Sequence, residues 1–280
     1  MRYAALCLTV CAVLATSGVW AQTISVETAM RGNTKIADPG LATAWTDNPA
    51  GLAVLASPNM KGQPGNGWRQ AASVTGEVSG DHDTFDLNWG GSEVGNDYGL
   101  GAGFGHTKAT RTYGVGFGKS WPKQGVAWGI SWQNIARTKG PSDNTFDAGI
   151  TGQLPIKPIL GNTEIKYGFV VRDLTAQIGR AYSAGVAFDV PQGVHIDIDL
   201  ADITNEFDRR LRLGATKDFG TRNMWKAGVG WDQDLFTFGA LYDSGTTWQK
   251  GTWKFGAAWE EGANEHSNSV LIGAFGQWGL

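Results

Sequence analysis

The sequence predicts an all-β protein, a closed transmembrane antiparallel β-barrel, and three observations predict it. From about residue 68 the chain alternates with a period of two, the period of a strand, in roughly 13 to 15 runs separated by turn residues such as Pro191-Gln192-Gly193. The apolar face of these runs carries Trp, Tyr or Phe in strand after strand, while the other face is polar or glycine. A lipid-facing barrel shows this arrangement, with aromatic girdles outside and a polar lumen inside. Beyond residue 21 no stretch reaches 18 consecutive apolar residues, which excludes helical spans. A secreted sandwich or solenoid also alternates, but it hides its apolar face in a core and rarely places Trp on it repeatedly. Closure further satisfies every backbone N–H and C=O in lipid, which an open sheet cannot do.

Taken in order, the chain opens with Met1-Arg2, an apolar stretch from Tyr3 to Val13, and Val19-Trp20-Ala21 before Gln22. A basic start, an apolar centre and a small-x-small site form a secretory leader, with cleavage expected after Ala21. Cys7 and Cys11 both lie in this leader, so the exported chain has neither a disulfide framework nor a thiolate metal site. Charged residues make up 18% of the 280, the net charge is −3, and there are 41 glycines and 13 tryptophans. Ordinary soluble domains carry about 25% charged residues and about 7% glycine. The mild acidic balance provides no basic face for nucleic acid.

Residues 22–53 lack strand alternation, and the barrel is expected over 54–280. In the barrel, Tyr98, Leu100, Ala102 and Phe104 share one face and Gly99, Gly101, Gly103 and Gly105 the other; Gly114, Gly116 and Gly118 continue the glycine face opposite Tyr113, Val115 and Phe117. These glycines do not form a dinucleotide fingerprint. Counted from Gly99 or Gly101, the sixth position is Phe104 or His106, and no amphipathic helix follows. Glycine in a strand marks a bend or the close approach of other backbone. The lumen-facing rows therefore have two readings, a site where residues 22–55 dock or a device for coiling the barrel.

The stretch Ala29 to Ala53 carries Ile36-Ala37-Asp38 and, after it, Asn48-Pro49-Ala50-Gly51-Leu52. It resembles the start of FadL-type outer-membrane transporters and their PorV-like relatives, which share a small-residue element, an A-x-A-D-D element and N-P-A-G-L before the first strand. Here Pro39 replaces the second Asp. The resemblance covers about a tenth of the chain. It implies a 14-stranded barrel in the outer membrane, with residues 22–53 forming a hatch inside the lumen and a role in moving hydrophobic molecules. Asp38, Asn48, Pro49, Ala50, Gly51 and Leu52 are the hatch residues on this reading. Asn-Pro itself is a turn initiator.

With the aromatic face outward, His195, Asp197, Asp199, Arg210 and Arg212 point inward on two consecutive strands. A hairpin turning near Asn205 would set Asp199 against Arg210 and Asp197 against Arg212, and each such cross-strand pair contributes ~0.2–1 kcal/mol. Asp147, Lys166, Arg172, Lys226, Asp232 and Glu260 share the inward face. The cluster reads as a polar conduit or as a charge ladder that holds the hatch. His195 sits mid-run beside two carboxylates, but no serine is marked as a nucleophile by a motif, and the facing arginines oppose a metal at His195, Asp197 and Asp199. No catalysis, cofactor or metal is expected. The partners expected are outer-membrane lipids, a small hydrophobic ligand and other envelope proteins. The function expected is a channel or transporter for small molecules; the alternative is a non-conducting barrel that holds a secretion or surface complex.

Overall fold

The computed structural model describes residues 25–40, 42–54, 67–77, 84–94, 97–107, 110–121, 124–138, 140–154, 165–190, 192–204, 209–220, 224–233, 235–244, 251–262 and 268–279. The leader 1–21, residues 22–24, Asp81-His82-Asp83, Asn205 and His266 lie outside them.

Fourteen strands close into one antiparallel barrel in which each strand pairs with its sequence neighbours and the first with the last. They are β1 (Gly67–Glu77), β2 (Phe85–Val94), β3 (Tyr98–His106), β4 (Thr110–Trp121), β5 (Val126–Arg137), β6 (Asp143–Leu154), β7 (Ile165–Arg172), β8 (Ala181–Val190), β9 (Val194–Ala201), β10 (Arg210–Phe219), β11 (Trp225–Asp232), β12 (Leu235–Asp243), β13 (Gly251–Gly262) and β14 (Ser269–Gly279). The closing ladder runs from Arg69 opposite Gly279 to Glu77 opposite Leu271, so no strand edge is left unpaired. Consecutive strands are nowhere separated by more than the residues 155–164, and both ends of the barrel therefore carry short connections.

Alternation decides what faces out. Val74, Ile130, Phe169, Val186, Val229, Phe238, Phe255 and Ile272 are all exposed although apolar, and they come from strands all round the wall. Large hydrophobics left uncovered on every side of a closed sheet form a lipid-facing belt. No helix among the described residues is long and apolar enough to cross a membrane. Aromatic pairs lock neighbouring strands on this outer face, as in the edge-to-face contacts of Tyr113 with Trp132 and of Phe117 with Trp128, each with ring centroids 5.8 Å apart.

The buried core lies inside the barrel and is made with the segment 25–54. This inner segment holds three single-turn helices, α1 (Val26–Ala29), α2 (Ala44–Asp47) and α3 (Gly51–Val54). Ser25 caps α1 by accepting the Thr28 N–H at 3.0 Å. Gly32 (φ 65°) and Asn33 (φ 60°) then turn the chain, a left-handed pair that β-branched residues would resist. Val26, Ala29 and Met30 pack on Leu241, Ala258 and Leu271 of the wall, and Trp45 and Leu52 pack with Ala42, Ala44, Ala71 and the edge of Phe275. Helices this short have little intrinsic stability, so their contacts with the wall hold them.

A cation placed on the outer belt tests the orientation of the wall. Val229, 51% exposed in the middle of β11, is expected on substitution by Arg to lower the stability of the barrel in phospholipid vesicles by about 2–4 kcal/mol; urea unfolding followed by tryptophan fluorescence measures it.

Candidate functional site

The lumen is the candidate site, and its shape follows from where the wall has no side chain. In nearly every strand the inward position at mid-height is glycine, and the inner segment visits these glycines in reverse strand order. Val26 meets Gly273 of β14; Met30 meets Gly239 of β12 and Gly228 of β11; Arg31 lies on Gly214 of β10; Ile36 lies on Gly185 and Gly168 of β8 and β7; Asn48 lies on Gly149 of β6; Pro49 lies on Gly129 and Gly118; and Leu52 closes the circuit on Gly101 and Gly99. A Cβ on Gly116 would come within 2.9 Å of both Leu52 Cδ1 and Trp45 Cβ, and one on Gly99, Gly149, Gly168 or Gly230 would overlap inner-segment atoms outright. Gly103 and Gly114 leave room for the Trp45 indole, whose Nε1 donates to Asn88 Oδ1 at 3.0 Å. Gly105 is buried on the same face, between Asp86 and Thr112. At Gly99, Gly101, Gly103, Gly114, Gly116 and Gly118 the inner segment lies where a Cβ would stand.

The residues Asn48 to Leu52 form the tightest part of this contact. Asn48 is fully buried. Its Nδ2 donates to the Ile36 carbonyl at 2.8 Å and the Ile150 carbonyl at 3.2 Å, and its Oδ1 accepts the Ala50 N–H at 3.2 Å. One side chain thereby ties two parts of the inner segment to β6. Gly51 is required by Pro39, whose ring a Cβ would strike. Asp38, further back, receives Lys166 Nζ at 2.7 Å.

The charge cluster is assembled differently from the sequence expectation. Arg212 stands opposite Asp199, Arg210 opposite Ala201 and Asp197 opposite Gly214, so neither expected cross-strand pair has the expected register. The reason lies in the connection after β9. The Asp202 N–H donates to Ser183 Oγ at 3.2 Å and the Ile203 N–H to the Tyr182 carbonyl at 2.6 Å, which draws the chain onto β8 before it turns. A shift of two keeps every side chain on its face but changes its partner. Arg212 Nε instead donates to Asp232 Oδ2 at 3.0 Å. The two aspartates serve the inner segment: Arg31 Nη1 donates to Asp197 Oδ2 at 3.2 Å, and Asp199 Oδ2 accepts the backbone N–H groups of Lys35 at 2.6 Å and Ile36 at 3.0 Å. His195 Nδ1 lies 2.8 Å from Asp189 Oδ1, and its Nε2 lies 3.3 Å from Asp38 Oδ2 and from Asp197 Oδ1. Among the described residues no group of three or more His, Cys, Asp or Glu side chains is arranged to hold a metal ion.

Arg31, Lys35 and Arg172 make contacts in the lumen that alternation did not point out. Lys35 Nζ pairs with the fully buried Asp47 at 3.0 Å, and the two Arg172 nitrogens donate to the carbonyls of Thr46 at 2.6 Å and Asp47 at 3.0 Å, which satisfies the open end of α2. Spaces border the inner segment among the described residues. A gap of about 50 Å³ lies between Ala37–Pro39 and β5–β6. At the barrel end where β1 begins, a vestibule of about 290 Å³ is lined by Glu27, Arg31, Asp38, Lys166, His195 and Lys226.

Electrostatics favour this docking over a defined pH range. Burial pushes the Glu27 carboxyl upward, but Lys226, 3.2 Å away, with Arg31 and Lys254, outweighs it and holds the group down to about 2, from an ordinary 4.5. Burial also opposes ionisation of Asp38, and His195, Lys166 and Arg31 together hold its carboxyl well below the usual range. A depressed carboxylate stabilises the folded state fully above its unfolded value and loses that contribution as pH falls through the folded one. The contribution of Glu27 to docking is therefore expected to be complete above about 4.5 and to be lost from there to about 2. Hydrogen exchange of residues 25–40 across this window measures it, and Glu27→Gln should flatten its upper part. Separately, Asp197→Ala leaves Arg31, with a side chain only 5% exposed, without its partner and is expected to cost about 3–5 kcal/mol, whereas the double change Arg31→Met with Asp197→Leu costs far less; urea unfolding of the three variants distinguishes them.

No family model matches the chain, and no curated protein does. Among solved structures it is similar to the toluene transporter TodX of Pseudomonas putida, with a TM-score of 0.54 and 10% identity over 94% of this chain and 99% of that one. A TodX variant described as a monoaromatic hydrocarbon channel superposes with a TM-score of 0.52 and 10% identity, covering 91% of this chain and 98% of that one. The likeness is one of fold over almost the whole of both chains, and a FadL-like barrel fits it.

Proposed function

We propose that the protein is an outer-membrane channel or transporter barrel for small molecules, hydrophobic ones included, and that the described arrangement is its closed state. The observation that carries this reading is the character of the contact between the inner segment and the wall over β7–β11. There Arg31, Lys35, Ile36 and Asp38 are held by side-chain carboxylates, a lysine and a histidine. Buried ion pairs stabilise little compared with apolar packing of the same volume, so a permanent filling would be better built from aliphatics. Charged groups that can exchange each other for water suit an element that moves. The fold of TodX, a named toluene transporter, supports the class of activity.

Magnitudes argue that movement is needed. A dry apolar cavity of about 150 Å³ accepts one benzene, while the gap beside Ala37 is about 50 Å³. A hydrocarbon therefore requires displacement of the hatch, residues 22–53. A second reading, a non-conducting barrel that supports an envelope complex, is favoured by the filling of the lumen itself.

Planar-bilayer recording separates the two. The exported chain is expected to be nearly silent, and conductance is expected to appear or rise at least several-fold on deletion of residues 22–46 and, more weakly, in Asp38→Asn with Lys166→Met. Silence in all three, with each still shifting on a gel when heated as folded barrels do, would establish the structural reading instead.

A further inference from the structure

Gly101 and Gly116, which admit the inner segment, also line the outside of the barrel. β3 and β4 present bare backbone inward to Leu52 and Trp45, and the lipid-facing side of the same strands carries a groove of about 490 Å³. Ala102, the smallest outward side chain there, forms the floor, and Val115, Phe117, Ile130 and Trp132 form the sides. A volume of this size is in the range of ligand pockets, 300–1,000 Å³, that enclose most of a bound molecule.

The groove's lining carries one amide, Gln70, beside the indoles of Trp89, Trp132 and Trp278. Gln70 points outward on β1, since it lies across from Trp278 and Gly91, yet it is only 5% exposed. A primary amide on a lipid-facing wall is costly unless its hydrogen bonds are made. Its Oε1 accepts from Trp89 Nε1 at 3.2 Å, so the function left to the group is donation through its NH₂. The complementary occupant is a long apolar chain ending in a carbonyl acceptor. Gln70 lies near the start of β1 beside Trp278 near the end of β14, at the rim of the belt, and the groove extends from there to Phe146 on β6. This order, polar at the rim and apolar toward mid-wall, matches the order of ester and acyl chain in a phospholipid.

We propose that the groove binds one acyl chain of a membrane phospholipid, with its ester carbonyl accepting from the Gln70 amide. The proposal depends on the wall facing lipid and not on transport, so a silent barrel would leave it intact. The occupant follows from the position and the handle together: a second copy of the barrel would bring a convex belt without an acceptor to Gln70, whereas lipid already covers this face.

Native mass spectrometry of the full exported chain, delipidated in detergent and titrated with palmitoyl-oleoyl phosphatidylethanolamine, tests it. One lipid per barrel is expected to persist at activation energies that strip the rest. Ala102→Trp, which fills the floor, and Ile130→Trp, which fills a side, are each expected to lower that occupancy at least tenfold while the barrel still shifts on a heated gel. Gln70→Leu should lower retention of the ester lipid several-fold and leave that of its dialkyl ether analogue unchanged. Equal retention in both filled variants, retention of no single lipid by the wild type, or a dimer in place of a lipid adduct would each overturn the proposal.

Discussion

A segment of chain can lie against the inside of a sheet at backbone distance only where the sheet has no Cβ, and this constraint organises the inner face of the barrel. The inner segment contacts glycine in β3 to β8, β10 to β12 and β14, and at β9 it contacts Asp197 and Asp199. Each of these glycines weakens its own strand, since glycine loses more freedom on folding and packs nothing. The loss is offset by contacts that any side chain would forbid. Gly101 and Gly116, which lie against Leu52 on the inside, also line the outer groove.

The contents of the lumen divide into two kinds of interface. Toward β14 and β1 to β5 the inner segment presents Trp45, Leu52, Ala50 and Ala53 to alanine, glycine and Phe275, which is apolar packing of the ordinary sort and of ordinary strength. Toward β7 to β11 it presents Glu27, Arg31, Asp38 and the peptide N–H groups of Lys35 and Ile36 to His195, Asp197, Asp199, Lys166 and Lys226. The first interface stabilises by excluding water. The second is stable only while each group has its partner, since a buried charge left alone costs more than the pair contributes.

Much of the wall was legible in the sequence because its signal is local. A period of two with Trp on one parity identifies strands and the lipid face together, and the runs around Tyr98, Trp128 and Trp225 need no information from elsewhere in the chain. The rows Gly99 to Gly105 and Gly114 to Gly118 stood out by repetition. The rest of the ring did not, because Gly149, Gly168, Gly185 and Gly214 occur one per strand, where a single glycine looks like an ordinary weak point. Only the registers of the hairpins between them bring them to one level. The partners of Asp197 and Asp199 were illegible for a related reason. Strand parity fixes a face, but a partner depends on the length of the turn and on a segment 160 residues away that carries no periodic pattern.

The division of the lumen also sets a direction for the proposed opening. Water reaching the β7–β11 side solvates Asp38, Lys166, Arg31 and Asp197 as they separate, which returns much of the Coulomb energy lost. Water reaching Trp45 and Leu52 returns nothing, since exposing that surface costs about 25 cal/mol for each Å². The charged half of the contact is thus the half that can release, while the indole remains seated on Gly103 and Gly114. The vestibule of about 290 Å³ already lies on the charged side. Movement of this kind would make a path along β7 to β10 and would leave the glycine-thinned wall behind the outer groove intact.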